Sequence, residues 1–357
     1  MLESLKKFEE KACSDYANLH ISQLPNTQSS ISYFEFGDPN GSPLLCLHGL
    51  SITGLFFKQH HEYFVEIGVR AIAPCLLGGI YIPDSAKTID DLTEEIVELL
   101  DILGVDKFDV IGFSWGTLPE LALIARIPDR IRKAGFLGAM TPIKFLDPQH
   151  INQLKSDVRL TLKMVKHAPF VHRYLMWLFC RLPISALIDQ FKDENLSTEE
   201  VNALAPNSSF NKHFTRCLNE CLRTGSQFFT HGWRMFLDEP SYALSDLSSI
   251  ASHVEVHLYV AEQDNVHLPY FSQIIAAACS GADIDELRRG ISQTHLKNMN
   301  KGINIFDQIY AHEQCSIWML KGAGRIACML YFKEALNNLM LTHPSSGTPS
   351  GAPYVKR

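Results

Sequence analysis

One serine in this chain stands between two glycines where a strand should give way to a helix. It is Ser114, in Gly112-Phe113-Ser114-Trp115-Gly116; an apolar β-rich run, Lys107–Phe113, precedes it, and a helically spaced run, Thr117–Ala125, follows. A turn that sharp presents the hydroxyl at the carboxyl edge of a sheet. It also sets it beside a helix N-terminus, whose dipole favours developing negative charge. Larger side chains at the glycine positions would collide with the strand and the helix. The chemistry this suggests is nucleophilic attack on an acyl carbon. A serine hydroxyl is a weak nucleophile near neutral pH and needs an adjacent base, itself oriented by an acid.

The elements that must position such groups can be read from Ile31 onward. Strands are expected at Ile31–Phe36, Pro43–Leu47, Val69–Ala73, Lys107–Phe113 and Arg132–Leu137. Between them lie helices over Gly54–Ile67, over Ile89–Leu103 (capped by Thr88 and closed by Gly104), and over Thr117–Ala125. Strand–helix alternation with short connections implies a mainly parallel sheet flanked by helices. The alternation stops after Thr141-Pro142 and resumes with strands at His253–Val260 and Ser316–Leu320 and a last helix over Ile326–Leu341. The organisation expected is a helical extension over 1–30, the first part of an α/β core over 31–144, a helical cap over 145–246, and a second part over 247–341. That second part carries an added segment near 279–313, and a Ser/Gly/Pro-rich tail over 342–357 reads as disordered.

The elbow, its strand–helix setting and the helical interruption resemble the α/β-hydrolase superfamily. The likeness is to its cap-bearing group of esterases, lipases, lactonases, iminopeptidases and epoxide hydrolases, over residues 30–140 and 250–341. Leu47-His48-Gly49-Leu50 is similar to the family's His-Gly loop, which implies that the backbone N–H groups of Leu50 and Trp115 form an oxyanion hole. Ala261-Glu262-Gln263-Asp264 resembles the family's acidic turn, which implies Asp264 as the acid, with Glu262 pointing elsewhere. After the fourth strand the chain reads Cys75-Leu76-Leu77-Gly78-Gly79, a departure from the usual Asp-Leu-x-Gly-x-Gly that bears on pocket shape.

The larger departure concerns the base. The family's histidine follows the final strand, in a loop that here reads Lys321-Gly322-Ala323-Gly324-Arg325-Ile326, with Arg325 at the expected histidine position. Arginine stays protonated and offers no acceptor, so it cannot take a proton from Ser114. The expectation at Arg325 is a salt bridge to Asp264 across the triad. Two histidines could serve as a relocated base: His267, which shares a loop with Asp264, and His295, in the added segment. His48, although near the pocket, reads as structural.

Composition narrows the rest. Net charge is −7, which argues against nucleic acid or an anionic membrane surface as the main partner. The 15 histidines lack metal-ligand spacing and the nine cysteines form no regular framework, so neither a metal nor a disulfide scaffold is expected. The N-terminus lacks the apolar core of a signal peptide, and the most apolar stretch, Ala168–Ile188, is broken by charges and prolines. No transmembrane segment and a cytoplasmic location are therefore expected. The aromatic-rich cap (Phe145, Met164, Phe170, Tyr174, Met176, Trp177, Phe179, Phe210) is expected mainly to build its own core, with the remainder lining an apolar pocket. The reading is a serine hydrolase of an ester, lactone or related hydrophobic acyl compound, needing no cofactor. The alternative is a catalytically impaired relative binding a ligand or partner in the same pocket.

Overall fold

The computed structural model describes residues 18–77, 87–146, 148–192, 195–222, 226–238, 240–243, 247, 253–281, 307–312 and 315–341. Nine strands form one sheet: β1 Leu19–Leu24, β2 Ser29–Gly37, β3 Ser42–Leu47, β4 Val69–Pro74, β5 Phe108–Phe113, β6 Ile131–Leu137, β7 Glu255–Ala261, β8 Asp307–His312 and β9 Cys315–Leu320. Their order is β1-β2-β4-β3-β5-β6-β7-β9-β8. From β4 through β9 the neighbours are parallel, and antiparallel pairs (β1 with β2, β2 with β4, β8 with β9) close the two edges. The chain reverses its winding between β4 and β5, so the ends of β3 and β5 meet centrally. In an open sheet of this kind, such a place is where a ligand crevice forms.

Alternation along the central strands explains why both faces are covered. Leu45 and Leu47 of β3 pack into one buried cluster, while Leu44 and Cys46 pack into the other; β5 divides Val110 from Ile111 in the same way. The first face is covered by α2 Ile89–Ile102 and α3 Thr117–Arg126, and by α11 Pro269–Ser280. The second is covered by a 3-10 turn, Gly54–His60, running into α1 His61–Glu66, and by the final helices α12 Ala327–Leu330 and α13 Phe332–Leu341. Thr88 caps α2 as expected, in a reciprocal box with Asp91.

The interruption is helical: α4 Pro148–Ile151, α5 Ser156–His167, α6 Pro169–Phe179, α7 Ile184–Asp189, α8 Thr198–Ala203, α9 Ser209–Leu222 and α10 Gln227–Leu237. Three expectations need correction. Within 1–30, expected as a helical extension, Leu19–Leu24 is an edge strand, because Leu19 to Leu24 can pair along the whole of Ser29–Phe34. The added segment near 279–313 ends in β8, which pairs backward onto β9; residues 282–306, including His295, lie outside the described residues. Several aromatics assigned to the cap core instead face solvent: Phe170 is 74%, Tyr174 59% and Trp177 44% exposed. The tail over 342–357 also lies outside the described residues. Among the described residues no helix is long and apolar enough to cross a membrane.

Candidate active site

Ser114 follows β5 directly and has φ +53°, a left-handed conformation for a residue with a side chain. Holding it there costs about 1–3 kcal/mol, which the packed surroundings must offset. Those surroundings explain the flanking glycines. A Cβ on Gly112 would sit 2.2 Å from Glu120 Oε2, and one on Gly116 would sit 2.4 Å from the Leu47 carbonyl oxygen. Glu120, on α3 behind the turn, is fully buried; burial pushes its carboxyl well above the usual range and outweighs the nearby Gly112 and Gly135 amides. Thr117 Oγ1 donates to the Ser114 carbonyl at 2.5 Å and accepts from the Met140 N–H at 2.8 Å, which ties the elbow to the loop after β6.

Of the two candidate bases, His267 stands beside the serine. His267 Nε2 lies 2.6 Å from Ser114 Oγ, and its Nδ1 lies 2.7 Å from Asp264 Oδ2. An ionised carboxylate only accepts, so the proton on this ring belongs on Nδ1, leaving Nε2 as an acceptor for the serine hydroxyl. Asp264 Oδ1 is held by the N–H groups of Val266 and His267, at 2.8 and 2.9 Å. Burial raises the pKa of Asp264, but the charge and hydrogen bonds of His267 and these two amides outweigh it, and the carboxyl titrates below its ordinary range. Room for the imidazole comes from Gly138 (φ +57°), where an added Cβ would come within 3.3 Å of the ring.

Arg325 lines the same cavity but makes no salt bridge with Asp264 among the described residues. Both Asp264 oxygens are engaged on their own loop. The guanidinium turns to the cap, where Nη1 donates to the Gln190 carbonyl at 3.2 Å and the group lies 5.0 Å from the Phe191 ring centre. The backbone around it is held by the cap as well. Buried Glu200 of α8 accepts from the Gly324 N–H at 2.7 Å and the Ile326 N–H at 3.0 Å. Gly324 permits this approach, since a Cβ would meet the Asn195 carbonyl oxygen at 2.7 Å. Glu262, expected to point elsewhere, accepts from the Gly322 N–H at 2.9 Å and stitches the two loops together.

Leu50 and Trp115 both border the cavity beside Ser114. His48 is structural, as expected: Nδ1 donates to the Gly49 carbonyl, Nε2 accepts from the Leu76 N–H, and burial lowers its pKa to about 4, so it stays neutral. The Trp115 indole donates to the Gly232 carbonyl of α10 at 2.8 Å. Gly232 itself has no room for a side chain, because a Cβ would lie 2.6 Å from Leu50. The cavity measures about 280 Å³ and is walled by Met176, Phe179, Phe191, Phe214, Phe229 and Trp233, with Asp157 and Arg325 as its charged lining residues.

Residues 42–281 match the family described as alpha/beta hydrolase fold. The chain belongs to that family. This hydrolase-fold chain is 31% identical over 119 residues to epoxide hydrolase 2 of Siraitia grosvenorii, covering 30% of this chain and 37% of that protein. It is 33% identical over 105 residues to a probable proline iminopeptidase of Leptolyngbya boryana, covering 28% and 32%. The matched stretch thus spans about a third of each relative's length. Among solved structures, a hydrolase from Pseudomonas aeruginosa PA01 superposes with TM-score 0.58 at 16% identity, covering 91% of this chain and 99% of that one. An epoxide hydrolase from Vigna radiata gives 0.57 at 16% identity, covering 92% and 96%. These likenesses carry the fold; the relatives differ in reaction, so the substrate must be argued from the site.

His267 was within reach of sequence reasoning only as one of two candidates. The signal that favours it is its place three residues after Asp264, on a loop that must cross the catalytic edge.

Proposed function

We propose that the protein is a serine hydrolase of ester-like hydrophobic small molecules, with Ser114 as nucleophile, His267 as base and Asp264 as the acid that orients it. The observation that carries this reading is the continuous relay from Ser114 Oγ to His267 Nε2 (2.6 Å) and from His267 Nδ1 to Asp264 (2.7 Å). Ser114 Oγ attacks the acyl carbon while its proton passes to Nε2. The oxyanion forms between the Leu50 and Trp115 amides, two fixed donors beside the elbow. His267 then returns the proton to the leaving alcohol. Water, deprotonated by the same imidazole, releases the acid and regenerates Ser114.

The cavity favours an apolar acyl or alcohol group of modest size, since aromatic, aliphatic and thioether side chains make most of its wall. The impaired alternative rested on the want of an acceptor beside Ser114, which His267 supplies. Labelling with a fluorophosphonate probe tests the reading: the natural chain should label, and Ser114→Ala and His267→Ala should not. A folded natural chain that resists the probe at all practical concentrations would sink it.

A further inference from the structure

Helix α6 is apolar around most of its circumference. One side is accounted for: His172 is buried with Nδ1 on Thr230 Oγ1, and Met176 and Phe179 reach the cavity. The other side carries Phe170, Tyr174, Trp177 and Leu178 in the open, at i, i+4, i+7 and i+8, and Leu182 extends it at 46% exposure. Single exposed apolar residues are ordinary, but a continuous stripe of this size marks a surface that meets something.

The charges on the stripe say what it meets. Arg173 lies within the stripe, three residues after Phe170 and four before Trp177, and Arg181 sits 3.3 Å from the Trp177 ring centre. Residues 156–183 hold five lysines and arginines against Asp157 alone, in a chain whose net charge is −7. Among the described residues Lys163, Lys166, Arg173 and Arg181 pair with no carboxylate; Arg173 donates to Gln227 and Arg181 to the Trp177 carbonyl. Net charge is therefore the wrong scale for judging this surface. A second copy placed symmetrically would set the same cations against themselves. Tryptophan and tyrosine beside arginine on an aliphatic stripe suit the boundary between anionic headgroups and acyl chains.

We propose that the outer face of α6, with Arg173 and Arg181, docks the cap on an anionic lipid surface. The proposal stands independently of the catalytic reading. If both hold, apolar substrate would leave the lipid layer one helix thickness from the cavity.

The test is flotation of the full chain with vesicles of phosphatidylcholine alone, or of phosphatidylcholine and phosphatidylglycerol in equal parts. Binding is expected on the mixed vesicles, weakening as salt rises. Phe170→Asp and Trp177→Asp should each lower the partition coefficient at least about tenfold, as a charge placed at an apolar contact would. Arg181→Gln should lower it about fivefold, the share expected of one cation near an anionic surface. Unchanged melting temperature and unchanged turnover of a soluble ester by Phe170→Asp would show that the variant remains folded. No binding to mixed vesicles at low salt would overturn the proposal, as would equal binding by natural chain and Phe170→Asp. So would a dimer in light scattering that Phe170→Asp dissociates while no vesicle binding is seen.

Discussion

Two loops meet at the carboxyl edge of the sheet, and they have divided work that the sequence pattern would place across both. The loop after β7 holds Asp264 and His267 within three residues and spends their polar groups on each other and on Ser114. The loop after β9 keeps its Gly-Ala-Gly backbone, yet its Gly324 and Ile326 amides go to Glu200 and its guanidinium to Gln190. On the proposed reading the first loop serves proton movement, while the second holds the cap.

Substitutions in the first loop, or in the serine it faces, should therefore register in turnover. Ser114→Ala and His267→Ala should each lower kcat/KM toward a short activated ester by at least about a thousandfold. The double variant should fall no further, because residues acting as a unit are not additive. Full turnover by His267→Ala would return the base to another residue, and the comparison would fail at its first term. Asp264→Asn should cost about a hundredfold or more by freeing the imidazole to take the wrong tautomer; turnover equal to that of the natural chain would show that Asp264 does not orient His267.

Substitutions in or against the second loop should instead register in stability. Glu200→Gln replaces an acceptor with a donor facing a backbone N–H, at a cost of about 1–3 kcal/mol in urea unfolding, with kcat/KM changed far less than in the first series. An unaffected unfolding midpoint would remove Glu200 as an anchor.

The acid limb of stability separates the loops further. Asp264 titrates lower folded than unfolded, so its contribution is present above the unfolded value, about 3.9, and is lost as pH falls through the lower folded value. The stability gap between the natural chain and Asp264→Asn should be widest at neutral pH and should close in acid. A gap independent of pH would contradict the assigned ionisation.

The smallest effect expected is on turnover in Arg325→His. With Ser114 already bonded to His267, a second imidazole supplies no missing acceptor, and kcat/KM should stay within about a few-fold of the natural value. A hundredfold gain, the scale of restored acid–base assistance, would mean that His267 is not the working base.

The elbow, the His-Gly loop and the acidic turn were legible because each needs particular residues at fixed offsets from a strand end. Glycine suits positions 112 and 116 because an added Cβ would come within 2.2 Å of Glu120 Oε2 and 2.4 Å of the Leu47 carbonyl oxygen. The proposed base was legible only as one of two candidates, His267 and His295, since a histidine three residues beyond an acid can equally belong to a surface turn. What selects it is Gly138, a vacancy on a different strand end, visible only in three dimensions. The edge strands β1 and β8 escaped for a related reason: short polar sequences become strands when a partner strand offers a free edge. Trp177 and its neighbours read as core because hydrophobicity counts residues without saying which side of a helix is already occupied.

A relay built from distant parts of a chain has two places where it can come apart. Here acid and imidazole share one short loop, anchored at its start by β7 and at its end by Pro269 of α11. A displacement of that loop carries both groups together, so the tautomer is preserved while the distance to Ser114 changes. On the proposed reading the machinery has a single clutch, between Nε2 and Oγ, and any cap or substrate movement that shifts the loop would switch the nucleophile without disturbing the pair proposed to activate it.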